Sequence, residues 1–330
     1  MRKLDILVPM YNEGEEVVKP LLDSIAVQQN VNLKDDVGVI ICCDGGSTVI
    51  SEEFRSRYPF TIEFYQCEHG GVSATRNACL DRSEADYVMF CDCDDMFCHV
   101  CGLWIIFREM ETGFDSLVSV FMEETRLPGT EIVTYINHDR DSTFVHGKVH
   151  RRKYLVEQSI RWNNKLTIHE DSFFNILCQN LSQNVKYCQT PFYLWKWRKE
   201  SVCRHDPKYI LKTYRNMLDS NEQLIDEFLR RGMQDKAMFF SVFMIFDAYY
   251  TMNKEEWLNQ ENQEYRNSTE LRFADYYRRF RDLWNNMPIN DKMVISNQVR
   301  QRSVMEGMRM ETITVDAWLK HVLRLKRKKN

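Results

Sequence analysis

Four short apolar runs, at residues 4–8, 37–43, 61–65 and 87–91, constrain the fold of this chain more than any other feature. Each has strand length and is rich in Val, Ile, Leu, Tyr or Phe, and helix-like amphipathic stretches follow the first three. Strand alternating with helix is the rhythm of a doubly wound α/β sheet, which places its ligands beyond the carboxyl ends of its strands. The second run ends in Asp44-Gly45-Gly46-Ser47 and the fourth in Asp92-Cys93-Asp94-Asp95. Two acidic clusters are therefore expected on one edge of the sheet.

Beyond about Pro207 glycine and proline become scarce. Tyr209, Leu211, Tyr214, Leu218, Leu224, Ile225, Phe228 and Leu229 recur at helical spacing. We expect residues 1–206 to form the α/β domain and residues 207–330 an all-helical region. The apolar stretch from Ala237 is shorter than a membrane span and contains Asp247, so it reads as a buried helix. No export signal is visible at the N-terminus, and the cysteines read as reduced core thiols, so a cytoplasmic protein is expected. A net charge of −4 gives no global case for nucleic acid or an anionic membrane. Residues 324–330 hold five Lys or Arg and no acid, a tail able to meet an anionic membrane surface or nucleic acid, although a solvated end is the plainer reading.

Three carboxylates within four residues at the end of a buried strand call for a compensating cation. If the chain stays extended there, Asp92 and Asp94 share a face and Asp95 turns away. Hard oxygen donors suit Mg²⁺ or Mn²⁺ completed by phosphate oxygens.

The neighbouring segments carry a resemblance. Pro9-Met10-Tyr11-Asn12-Glu13 after the first run, Asp44-Gly45-Gly46-Ser47-Thr48 after the second, Gly71-Val72-Ser73-Ala74-Thr75-Arg76-Asn77, Asp92-Cys93-Asp94-Asp95, His169-Glu170-Asp171 and Tyr193-Leu194-Trp195-Lys196-Trp197-Arg198 with Ser201 resemble, in order, the motifs of the family 2 glycosyltransferases. The likeness runs from residue 3 to about residue 205. It implies a GT-A fold, a Rossmann-like mixed sheet flanked by helices, and inverting, metal-dependent transfer of a hexose or N-acetylhexosamine from a UDP-sugar to a hydroxyl. It implies that Pro9, Tyr11, Glu13 and Asp44 surround the base, Asp92 meets the ribose, and Asp94 holds the metal. Arg198 and Ser201 would face the diphosphate. Asp171 would be the general base, with Glu170 beside it. His205, shortly after the last motif, is a further candidate metal ligand.

The chain departs from the family pattern at Gly45, where a second aspartate is usual, and Asp44 is left to meet the base alone. The acceptor stays open among polysaccharide, lipid-linked glycan, protein and a modified nucleic acid. Two rival readings remain. A nucleotidyltransferase or sugar-nucleotide pyrophosphorylase also joins an α/β sheet to metal-binding acids, but its basic glycine-rich loop is replaced here by an acidic turn. A catalytically inactive GT-A binding module would not need Asp94 or Asp171.

Overall fold

A computed structural model describes residues 2–127, 129–198, 209–259, 261–305 and 314–325. Ser201, His205 and the tail beyond Leu325 lie outside the described residues. The chain divides into two compact units, Met1–Ser201 and Val202–Asn330.

Among its described residues the first unit contains nine strands: β1 Leu4–Met10, β2 Val37–Asp44, β3 Thr61–Cys67, β4 Tyr87–Phe90, β5 Met96–Phe97, β6 Ser116–Arg126, β7 Val133–His138, β8 Lys148–Arg151 and β9 Val185–Trp195. Its helices are α1 Glu15–Ala26, α2 Leu33–Asp36, α3 Glu52–Arg55, α4 Gly71–Arg82, α5 Gly102–Glu111, α6 Arg152–Glu157 and α7 Glu170–Leu181. The strands form one mixed sheet in the order β3-β2-β1-β4-β8-β6-β9-β5, with β7 paired to β6. β1 lies in parallel between β2 and β4, and every residue of β1 and β2 is buried. That placement explains why both read as continuous apolar runs rather than alternating ones. The core packs Val18, Leu21, Leu22 and Ile25 of α1 with Ile6, Val8, Val39 and Ile41 of the sheet.

Because β1 to β4 are mutually parallel, their carboxyl ends open on one edge. The loops after β2 and β4 therefore flank the loop after β1, the arrangement expected from the acidic clusters. The extended geometry anticipated for Asp92 to Asp95 does not occur. β4 ends at Phe90, and the chain turns, with the Asp95 N–H donating to the Asp92 carbonyl at 3.2 Å. Once the chain turns, the i, i+2 rule no longer assigns the faces of these carboxylates.

The second unit contains α8 Tyr209–Arg230, α9 Gln234–Met252, α10 Glu255–Leu258, α11 Gln263–Asn286, α12 Ile289–Met305 and α13 Val315–Val322. α9 is the apolar stretch noted in the sequence, and the other helices pack on it. A helix apolar on most faces belongs in a core. Its Asp247 is tolerated because the Tyr214 hydroxyl donates to Oδ2 at 2.7 Å. Among the described residues no helix is long and apolar enough to cross a membrane, and the cysteines are free thiols.

Candidate active site

The loop after β1 presents Tyr11, 51% exposed, and Asn12 with φ of 58°. The carboxylate of Glu13 accepts from the Tyr11 N–H at 2.6 Å and holds the turn, while Pro9 stays inside β1. Asp44, at the end of β2, is 5% exposed. Its Oδ1 accepts from the Gly70 N–H at 2.7 Å, and its Oδ2 accepts from the Gly71 N–H at 3.0 Å. These groups open α4, where unpaired N–H donors favour an anion.

Gly45 and Gly46 follow with φ of 74° and 77°, a region that side chains with a Cβ rarely adopt. A Cβ on Gly45 would lie 3.0 Å from the Cβ of His69. Without it, His69 reaches Asp44 with Nδ1 3.2 Å from Oδ2, and its ring lies 5.4 Å from that of Tyr11 at 33°. The sequence did not single out His69, because nothing in its spacing ties it to Tyr11 or Asp44.

The second cluster is organised by Arg76 of α4, which is 4% exposed. One guanidinium nitrogen donates to Asp92 Oδ1 and the other to Glu170 Oε1, both at 3.0 Å, and the group lies 4.4 Å over the Trp162 ring. Arg76 thus joins the turn after β4 to the start of α7. Trp162 is buried and stacked on Phe174 at 4.1 Å, which leaves its ring unavailable as a sugar platform. Asp94 accepts from the Arg198 guanidinium at 2.8 Å. Asp92 and Asp94 are each about a third exposed.

Asp95 turns inward and is buried. Its Oδ2 lies 2.6 Å from the Tyr193 hydroxyl, and its Oδ1 accepts from the Lys196 N–H at 2.9 Å. Burial, followed by the charges of Asp92 and Asp94, pushes its carboxyl well above the usual range. His146 approaches Asp95 at 3.6 Å and stacks with Tyr193, Trp195 and Phe144. Among the described residues, Asp92, Asp95 and His146 form the group whose ligand atoms lie within 4.8 Å of one another. The sequence did not reveal His146 either, because β8 and its preceding loop are brought to β4 only by antiparallel pairing.

Asp171 sits in the first turn of α7, just after His169, which takes the left-handed conformation at φ of 63°. Its Oδ1 accepts from the Ser172 N–H at 2.8 Å. Burial raises its carboxyl to about 7, with the Glu170 charge adding to the rise and Arg76 opposing it. A carboxyl titrating near neutrality is suited to taking a proton at physiological pH.

Residues 5–124 match the sequence profile described as Glycosyl transferase family 2. Over those residues the chain is similar to that family. Among curated family relatives, the minor teichoic acid biosynthesis protein GgaA of Bacillus subtilis (strain 168) is 24% identical over 190 residues, covering 52% of this chain and 42% of that one. The poly(ribitol-phosphate) β-N-acetylglucosaminyltransferase TarS of Staphylococcus aureus (strain Mu50) is 23% identical over 214 residues, covering 61% and 36%. The chain thus spans well under half the length of either relative. Among solved structures, S. aureus TarS 1–349 in complex with UDP aligns with a TM-score of 0.61 at 15% identity, covering 91% of each chain. The complex of the same fragment with UDP-GlcNAc aligns with a TM-score of 0.60 at 15% identity, covering 96% of this chain and 95% of that one. At that identity the likeness speaks to the fold, which is GT-A.

Proposed function

We propose that this protein transfers a hexose or N-acetylhexosamine from a UDP-sugar to a hydroxyl of an acceptor polymer, inverting the anomeric centre. The observation that carries the reading is the convergence of Asp44, Asp92 and Asp94 on one sheet edge, with Asp171 titrating near neutrality beside Glu170, which Arg76 ties to Asp92. The TarS complexes with UDP and UDP-GlcNAc support the donor class. The teichoic acid and poly(ribitol-phosphate) relatives support a polyol-phosphate polymer as acceptor.

In this reading the base lies against Tyr11 and His69, with Pro9 and Glu13 shaping the turn and Asp44 accepting from a ring N–H. Asp92 meets the ribose. The carboxylates of Asp92 and Asp94, each about a third exposed and already held by a guanidinium, fit a hard divalent cation. Asp95 fits less well, because its oxygens are already engaged by the Tyr193 hydroxyl and the Lys196 N–H. Bound at Asp94, Mg²⁺ or Mn²⁺ would act as a Lewis acid for the leaving diphosphate.

Arg198, released from Asp94, would then bind the diphosphate oxygens. Asp171 takes the proton of the acceptor hydroxyl as that oxygen bonds to the anomeric carbon. The bond to the diphosphate oxygen breaks with its electron pair, and UDP leaves. Glu170 stays on Arg76 and fixes the start of α7. The test is release of free UDP from a panel of UDP-sugars, with and without Mn²⁺. Release of pyrophosphate, or no turnover in the presence of acceptor polymer, would overturn the reading.

A further inference from the structure

A depression of about 630 Å³ lies between α4 and the segment 161–165. Its frame is built. Asn77 is buried, and its Nδ2 donates to the Trp162 carbonyl at 2.9 Å while its Oδ1 accepts from the Trp162 N–H at 3.0 Å. Both ends of one amide therefore fix the loop against the helix. Arg161 holds Asp81 through two hydrogen bonds, at 2.5 and 2.7 Å. Arg82 lies 4.4 Å over the Tyr65 ring and donates one nitrogen to the Ala78 carbonyl at 2.8 Å.

Three cations line this depression against one carboxylate, and Arg161 already holds that carboxylate. Neither Arg82 nor Lys165 has a carboxylate partner among the described residues. Trp162, which also lines it, carries a buried indole N–H without an acceptor. A concave, polar surface with two uncompensated cations suits an oxyanion. Planar guanidinium and ammonium groups together fit phosphate oxygens.

We propose that this depression is an acceptor subsite that takes a phosphodiester group of an anionic polymer whose hydroxyl is glycosylated at Asp171. The proposal rests on the glycosyltransferase reading for its acceptor, but the subsite itself is independent of turnover. The segment that forms its outer wall runs on through Leu166 to Glu170 and Asp171. Leu166 is tied back to α4 by the Ser73 hydroxyl at 3.5 Å.

The test measures binding without catalysis. A fluorescein-labelled ribitol-phosphate oligomer is titrated by anisotropy into the full chain at two salt concentrations. The controls are a polygalacturonate oligomer of equal charge and inorganic phosphate. For the double variant R82Q/K165Q we expect affinity to fall about tenfold, equivalent to about 1.4 kcal/mol. Its salt dependence should become shallower, as when phosphate contacts are lost. Asp81→Asn should bind about threefold more tightly, since it removes the one carboxylate and frees Arg161. UDP release from the donor alone should match wild type in every variant.

Wild-type affinity in R82Q/K165Q, or no binding by the wild-type chain, overturns the subsite. Equal affinity for polygalacturonate overturns the phosphodiester assignment, and equal affinity for inorganic phosphate overturns the polymer. If the glycosyltransferase reading alone fails, UDP release is absent while oligomer binding and its response to the variants persist.

Discussion

Asp171→Asn separates chemistry from stability. The substitution keeps the shape and an oxygen that can accept from the Ser172 N–H, but it removes the basic group. Transfer should fall by a factor on the order of 10² to 10⁴. Stability should move the other way. Asp171 titrates at about 7 in the folded chain, raised by burial and then by Glu170, against an ordinary value of 3.8. Because the folded value is the higher one, the favourable contribution of the neutral acid is complete below about pH 4 and is lost as pH rises through about 7.

A rise of about three pKa units, at about 1.4 kcal/mol per unit and shared with Glu170, makes the ionised group cost about 2 to 4 kcal/mol at pH 8. Asn cannot ionise, so the variant should melt about 5 to 15 °C above wild type at pH 8, at about 2 to 4 °C per kcal/mol for a unit of this size. The gap should shrink towards pH 5. Paired thermal melts and transfer assays across that range are the measurement. Wild-type kcat/KM should be about tenfold lower at pH 6 than at pH 8, as the ionised fraction of a group titrating near 7 requires. A variant less stable than wild type at pH 8, or a melting gap independent of pH, would refute the account of Asp171. Near wild-type transfer would refute its role as the base.

Asp94→Ala should abolish the metal-dependent part of turnover and of donor binding, and full wild-type activity in excess EDTA would overturn the metal assignment. Asp44→Asn should weaken UDP binding more than it slows turnover of bound donor, because it removes charge from a ground-state contact, and calorimetry with UDP checks it. Arg76→Met leaves Asp92 and Glu170 without their shared cation and should cost about 3 to 5 kcal/mol in denaturant titration. The same variant should move the acid limb of the transfer profile to higher pH, because Arg76 is the charge opposing protonation of Asp171.

The α/β order and the edge carrying the acids were legible because both rest on local signals: apolar runs of strand length and acids immediately after them. Asp44, Asp92 and Asp94 could be singled out for the same reason, and Asp171 through the resemblance of His169-Glu170-Asp171 to a family motif. The bonds among them could not. Arg76 reaches Glu170 across 94 residues of sequence, and nothing local in the sequence names its partners. His69 became visible only when Gly45 was seen to leave the space beside it, and His146 only when β8 was seen to pair with β4. The turn at Asp92 to Asp95 was missed because a run of acids carries no mark of where a strand stops.

Helix α4 meets the nucleotide end of the cleft with Gly70 and Gly71, the acid pair with Arg76 and the basic depression with Arg82. At 1.5 Å per residue these stations stand about 8 and 17 Å from its start. A single rigid rod thus sets the interval between what is recognised on the donor and what is recognised on the acceptor. Its inward positions are tied to the acids of the cleft, while its outward ones, Asp81 and Arg82, line the depression. Substitutions on the outward side can therefore retune the choice of polymer in a lineage while the inward register, and with it the handling of the nucleotide, stays as it was.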